Sequence, residues 1–235
     1  MSPRPSISLV LPALDEAASI SRVLSQAREV LPRCSKEYEI IVVDDGSQDE
    51  TARIVARFDG VRLLRHPTNR GYGAALRTGL RAARLEWVFF TDADLQFDLR
   101  DLEPLLEASR GVDIVAGYRS PRRDPFGRRL LGWAWGRLVQ LVFGLHIRDI
   151  DCAFKLFRRE ALDATPIESV GAFINTEILV RASAAGFRIH QIPVRHFPRR
   201  WGTSSGARPR VIVRALRELL SIRRRLPRVR GGSER

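Results

Sequence analysis

The sequence predicts an α/β fold, a mostly parallel sheet flanked by helices and followed by C-terminal amphipathic helices. Three observations carry that expectation. Short apolar runs alternate with stretches whose apolar residues recur at helical spacing, the pattern of repeated βαβ units. Carboxylates follow two of the runs directly, at Asp44-Asp45 and at Asp92-Ala93-Asp94. After Gly117 the alternation stops and arginine-rich amphipathic segments take over. Right-handed crossovers bring the C-terminal ends of parallel strands to one edge of a sheet, so the acidic clusters are expected to meet there.

In order, a first strand is expected over residues 7–11, stopped by Pro12. A helix over 16–31 follows, with Asp15 or a neighbour as its cap and Ile20, Val23, Leu24 and Ala27 on its apolar face. Strands are expected over 39–43, 61–65, 87–91 and 112–116, with helices over 49–58 and about 74–83 between them. Residues 87–91 form an apolar run suited to burial on both faces. Residues 130–145 fit either an interfacial amphipathic helix or a buried cover helix. A strand at 154–157, a helix at 176–185 and an edge strand at 188–194 complete the body. Residues 198–209, rich in Gly, Ser and Arg, are expected to be a mobile loop, and 211–225 a basic amphipathic helix with a disordered end at 228–235. The division expected is a catalytic unit over 1–206 and a basic tail over 207–235.

With 235 residues and 44% hydrophobic content, the chain can bury a full core. Its net charge is +13, and residues 195–235 hold thirteen arginines against Glu218 and Glu234. Such a surface suits anionic lipid, nucleic acid or acidic substrates. Cys34 and Cys152 are the only cysteines, which gives neither a disulfide framework nor zinc spacing. The four histidines show no ligand spacing. The first residues do not read as a signal peptide, and no stretch reaches the ~20 apolar residues of a membrane span. A cytoplasmic enzyme, peripheral on the inner face of a membrane, is expected.

Two carboxylates one residue apart at a strand end can present hard oxygen ligands above the sheet, which suits Mg²⁺ or Mn²⁺ completed by substrate phosphates. Around Asp92-Ala93-Asp94-Leu95-Gln96 stand Leu11-Pro12-Ala13-Leu14-Asp15-Glu16, Val43-Asp44-Asp45-Gly46-Ser47 and Asn69-Arg70-Gly71-Tyr72-Gly73. Then come Gly117-Tyr118-Arg119, Asp151-Cys152-Ala153-Phe154-Lys155-Leu156-Phe157-Arg158 and Arg199-Arg200-Trp201-Gly202-Thr203-Ser204. In this order, over roughly residues 6–206, the seven motifs resemble family 2 glycosyltransferases of the GT-A (Rossmann-like) fold. The closest likeness is to polyprenyl-phosphate sugar synthases of the dolichyl-phosphate mannose synthase type.

The resemblance implies that Pro12, Leu14, Glu16, Val43, Asp45 and Ala93 bind the nucleotide-sugar, with Leu14 standing where the family often has Tyr. It implies that Asp94 and Gln96 hold the metal, that Asp92 lies against the sugar or nucleotide, and that Arg119 and Arg199 meet the diphosphate. Guanidinium groups bind phosphate oxygens bidentately and stay charged. Arg128 or Arg129 is expected at the acceptor phosphate. The implied reaction is inverting transfer of a sugar, mannose or glucose, from a nucleoside-diphosphate sugar to a polyprenyl phosphate. The apolar, arginine-rich stretches 128–145 and 211–230 predict docking on an anionic membrane surface; the rival is that 130–145 is an internal cover helix and the tail contacts a membrane-spanning protein, and no nucleic acid is expected. A phosphate acceptor is ionised at neutral pH and needs no general base, whereas a hydroxyl acceptor would call on Asp151 or Glu177. The competing readings are transfer to a sugar or lipid hydroxyl, nucleotidyl transfer, and nucleic-acid binding by the basic tail. Gly71 and Gly73 read either as a phosphate loop or as close backbone packing.

Overall fold

The computed structural model describes residues 4–124, 126–201 and 209–226, without the side chains of Pro209 and Arg210. Strand β1, Ser6–Ala13, is buried along its whole length. It pairs in parallel with β2, Glu37–Asp44, and on its other side with β4, Trp87–Thr91, while β3, Val61–Arg65, lies outside β2. On the far side of β4 come β6, Phe154–Arg158, then β5, Ile114–Arg119, then β7, Ile189–Val194, at the edge. Strand β6 is antiparallel to both β4 and β5; the other six strands share one direction. Its first residue, Phe154, faces Thr91, the last residue of β4. The segment leading into β6 therefore arrives at the edge where β1, β2 and β4 end.

The sheet is held by apolar side chains that enter it from both faces. Phe89 meets Phe154 edge to face with ring centres 4.7 Å apart, and Phe90 stacks on Phe157 at 5.9 Å, contacts that stabilise beyond the area they bury. Helix α1 spans Ile20–Cys34 and α2 the single turn Thr51–Val55; α3 is Tyr72–Ala82 and α4 Leu102–Ala108. Gly79 costs α3 about 1 kcal/mol of helix propensity, but a Cβ there would lie 2.3 Å from Val10 Cγ1. The glycine lets α3 descend onto the sheet. Buried Lys155 lies under the site, with Nζ donating to the carbonyls of Ile150 and Cys152.

Several boundaries differ from expectation. Pro12 does not stop β1, which runs on to Ala13. Pairing with β4 ends at Val10, so Pro12 sits where the strand has one neighbour, the edge-like setting that proline tolerates. Helix α1 begins at Ile20, four residues late, and Asp15 does not cap it. Asp15 adopts φ 55°, and the 15–17 backbone is tied to Ser47, Thr51 and Asp49 beside β2. Strand β5 starts at Ile114 and extends to Arg119.

Helix α6, Arg159–Asp163, precedes the buried helix α7, Ile174–Ala184. The 130–145 segment forms helix α5, Phe126–Phe143, which buries Val139 and Phe143 and leaves Phe126, Leu130, Trp133 and Leu141 exposed. It is anchored by its end and open along its length. The last helix, α8, Pro209–Arg225, buries Leu219 and Ile222 in the common core and exposes Val213, Leu216 and Leu220. Most of the expected loop, residues 202–208, and the tail from 227 lie outside the described residues. No helix among the described residues is long and apolar enough to cross a membrane.

Candidate active site

A cleft of about 870 Å³ opens where β1, β2 and β4 end. One wall is acidic. Strand β4 delivers Asp92 and Asp94, and the turn after β1 delivers Glu16. Asp94 is 5% exposed; its Oδ1 accepts from the Gln96 amide at 3.1 Å and its Oδ2 from Arg199 Nη1 at 3.1 Å. Arg199 also donates from Nη2 to Glu16 Oε1 at 2.6 Å and from Nε to Trp201 O at 2.6 Å. One guanidinium thus bridges two carboxylates across the floor of the cleft.

The acids are costly to ionise here. Burial pushes Asp92 up to about 7, with the neighbouring Asp94 charge adding to the rise. Burial raises Asp94 and Glu16 as well, against the pull of Arg199. The Tyr72 hydroxyl lies beside Asp92 and opposes its rise, yet neither that hydroxyl nor Asp92 Oδ1 makes a full hydrogen bond among the described residues. Buried polar atoms left unpaired at a cleft wall are what a polar ligand would satisfy.

The opposite wall is basic. Arg119, at the end of β5, donates from Nε and Nη2 to Asp149 at 2.6 and 2.7 Å and from Nη1 to Asp124 at 2.9 Å. Burial works against its charge, but the bonds and charge of Asp149 outweigh that and hold it cationic. Arg122 and Arg128 line the same wall. Helices α5 and α8 add apolar lining, with Leu131 and Trp135 from the first and Val211, Ile212 and Ala215 beside Arg214 from the second.

A family model described as Glycosyl transferase family 2 matches residues 8–165. The chain belongs to that family. It is 37% identical over 202 residues to Glycosyltransferase AglD of Haloferax volcanii, covering 80% of this chain and 32% of the relative. It is 32% identical over 222 residues to the undecaprenyl-phosphate 4-deoxy-4-formamido-L-arabinose transferase of Pseudomonas fluorescens, covering 90% of this chain and 64% of that one. The chain thus spans from a third to about two thirds of the length of the curated relatives it matches. Among solved structures, glucosyl-3-phosphoglycerate synthase of Mycobacterium tuberculosis with Mn²⁺, UDP-glucose and phosphoglyceric acid aligns with a TM-score of 0.70 at 21% identity, over 95% of this chain and 81% of that one. Mannosyl-3-phosphoglycerate synthase of Rubrobacter xylanophilus aligns at 0.70 and 21%, over 98% and 79%. These likenesses carry the fold, and the fold is GT-A.

Against this family 2 frame, the cleft collects Pro12, Leu14, Glu16, Asp45, Asp92, Ala93, Asp94, Gln96, Arg119, Arg128 and Arg199. Two expected residues are elsewhere. Val43 is fully buried in β2 with Cγ2 directed at Gly79, because the strand alternates and this position faces α3. Arg129 is exposed and does not line the cleft; one residue along a helix turns the side chain by about 100°, so Arg128 faces inward in its place.

Asp45 is placed as expected but already engaged. Its Oδ1 accepts from His66 Nδ1 at 2.6 Å and Arg70 N at 3.0 Å, and its Oδ2 from Gly71 N at 2.8 Å. It shapes the 69–71 loop. Gly71 and Gly73 serve close packing: Cβ atoms there would lie 2.7 Å from Val170 O and 2.4 Å from Gly171 O. Glu177 is fully buried, accepting from Glu168 N, Ser169 N and Arg181 Nε. That leaves it no free oxygen to act as a base, whereas Asp151 remains at the cleft wall.

For a cation, the cleft offers Asp94 with Gln96, whose side-chain nitrogen donates to Phe197 O at 3.2 Å and leaves its oxygen as the ligand atom. Among the described residues no three His, Cys, Asp or Glu side chains make a metal cage of their own. A carboxylate and an amide oxygen fit a hard ion that takes its other ligands from water and phosphate. The sequence reading missed Tyr72, Asn175, Trp135, Arg122 and His196, all lining the cleft. Only Tyr72 stood inside a recognised motif.

Proposed function

We propose that this chain transfers a sugar from a nucleoside-diphosphate sugar to the phosphate of a polyprenol, with Mg²⁺ or Mn²⁺ held by Asp94 and Gln96. The observation that carries the reading is the cleft's mixed lining: acids from β4 and the turn after β1, arginines from β5 and the residues after it, and apolar residues of α5 and α8. A metal-bound diphosphate suits the first, a phosphate monoester the second, and an isoprenoid tail the third. The metal would supply Lewis-acid neutralisation of the leaving diphosphate. Arg199 would release Asp94 and Glu16 to follow the donor's phosphates, and Asp92 would accept from a donor hydroxyl. The basic wall would hold the acceptor oxygen in line with the anomeric carbon, so that rate comes from positioning and charge. With Glu177 spent on structure, a hydroxyl acceptor would depend on Asp151 alone as its base, whereas an acceptor that arrives ionised needs none. The sugar is read as mannose or glucose, from the resemblance.

The test is to offer labelled nucleoside-diphosphate hexoses with Mg²⁺ or Mn²⁺ to detergent-dispersed polyprenyl phosphate and to the matching polyprenol. Label should enter the lipid phosphate only, and excess chelator should stop it. Transfer to the polyprenol would overturn the reading. Work at a membrane surface, the cytoplasmic face, is part of the same proposal, because an isoprenoid cannot leave lipid at about 0.8 kcal/mol per methylene. Exposed Phe126, Leu130, Trp133, Val213, Leu216 and Leu220 sit among arginines on α5 and α8, a surface suited to anionic headgroups. Binding to vesicles containing anionic lipid should fall with salt, and fall again when Arg223, Arg224 and Arg225 are replaced by Glu. An intact protein that ignores such vesicles at low salt would rule docking out.

A further inference from the structure

The side chain of Asp124 is 2% exposed and gathers three guanidiniums. Its Oδ2 accepts from Arg119 Nη1 at 2.9 Å and Arg122 Nε at 2.7 Å, and its Oδ1 pairs with Arg128 Nη1 at 3.4 Å. The Arg122 hydrogen bond and the three positive charges hold its carboxyl below the usual range despite burial. Asp149 takes two of the three nitrogens of Arg119 and lies 3.7 Å from Arg122 Nη1. Three arginines thus share two carboxylates, and the cluster keeps one positive charge in excess.

The three arginines are not equivalent. The side chain of Arg119 is 8% exposed, with every nitrogen already donating to a carboxylate. Arg122 spends Nε on Asp124, but its Nη2 makes no hydrogen bond among the described residues, and its Nη1 only lies 3.7 Å from Asp149. Its guanidinium lies against α5 at Gly132, where a Cβ would stand 2.9 Å from both Nη1 and Nη2. Gly127 and Gly136 of the same helix have open space at their Cβ positions, so Gly132 is set apart by this contact.

We propose that Asp124 is a positioning residue which, with the space above Gly132, sets the Nη groups of Arg122 into the cleft as a binding site for a phosphate monoester. Three like charges at this spacing would splay apart in solvent. The buried carboxylate holds them together at some loss of net charge, and the gain is a fixed fork for a planar bidentate contact. Arg128 adds charge beside it, while Arg119 braces the wall. The proposal rests on the reading that the acceptor is a lipid phosphate.

Charge and position predict opposite signs for one substitution, which makes the test sharp. Asp124→Asn removes a negative charge beside an anion site, so electrostatics alone would tighten phosphate binding; loss of positioning weakens it. Geranyl phosphate serves as the probe, titrated calorimetrically and used as acceptor, with inorganic phosphate as the headgroup control. Asp124→Asn and Gly132→Ala should each weaken geranyl phosphate binding and raise its KM about tenfold, in keeping with loss of one buried charge-assisted contact. The KM for the sugar donor should not move, and kcat should change little. Inorganic phosphate should weaken in parallel; weakening of geranyl phosphate alone would place the effect on the tail and overturn the proposal. Gly132→Ala should also melt at the same or a higher temperature, since alanine favours the helix, which separates site damage from unfolding. Should Asp124→Asn not fold, Gly132→Ala decides alone. Tighter or unchanged binding in either folded variant overturns the proposal. Sugar transfer by the wild type to a lipid hydroxyl would instead defeat the functional reading, and the direct titrations would still decide the role of Asp124.

Discussion

The two walls of the cleft are built on opposite terms. The acidic wall comes from strand ends and the turn after β1, so its carboxylates are placed by the sheet itself and have little to gain from one another. Asp92, Asp94 and Glu16 are all raised by burial, with Arg199 as the cation between the last two. The basic wall comes from the end of β5, the loop after it and helix α5, and its arginines are held by the carboxylates Asp124 and Asp149. One wall has three acids and a single cation, Arg199, for two of them; the other pairs each of its arginines with a carboxylate. Stability and activity should therefore respond differently on the two sides.

The largest effect expected is on the basic side. Arg119→Met leaves Asp149 buried without its main partner and takes one of three cations from Asp124, and breaking a buried pair costs about 3–5 kcal/mol. Chemical denaturation should show that loss, whereas Arg129→Met on the exposed flank should stay within about 0.5 kcal/mol. Equal effects from the two would remove the distinction between brace and surface. On the acidic side, Asp94→Asn should cut turnover on the order of 10²-fold or more, as loss of a strong electrostatic group does. Its melting temperature should hold or rise, since a strained charge has gone. A variant that keeps full turnover, or loses stability instead, would mean that Asp94 is structural.

Smaller effects sharpen the picture. Gly73→Ala pushes a methyl into Gly171 O and should cost about 1–3 kcal/mol, the range for overpacking; a neutral result would show that the 170–171 segment yields easily. Asp151 gives a pH test. Burial, with Asp149 adding, pushes its carboxyl up to about 6, so the folded protein holds that proton more tightly than the unfolded chain. The stability this gives is full below about pH 4 and is lost as pH rises through 6. Asp151→Asn should therefore gain on the wild type from pH 4 to 7, in melts with chelator, and show no trend below. A constant difference across that range would mean that Asp151 keeps its solvent.

How much of this could be read in advance follows from the range of the interactions. Strand β4 fell on the expected residues because an apolar run and the carboxylates after it are local signals. The start of α1 was misjudged because the 15–17 backbone is held by Ser47, Asp49 and Thr51, more than thirty positions on. Motifs located Arg119, but its partner Asp149 is 30 residues away, and nothing nearby says that its nitrogens are spent. Arg122 and Gly132 belong to no motif. Their relation exists only once α5 lies over the loop that precedes it.

The reversed direction of β6 has a consequence for how the protein is made. A ribosome delivers β1, β2, β3 and β4 first, so the acidic wall can assemble while the chain is still growing. Arg119 then emerges 30 residues ahead of Asp149, an interval of about 2–6 s at ordinary rates of synthesis. Only when the chain doubles back as β6, between two strands already present, can the basic wall close on its carboxylates. Nascent chains stalled before residue 149 should carry a half-cleft able to present its acids to a cation, with arginines not yet disciplined to face them.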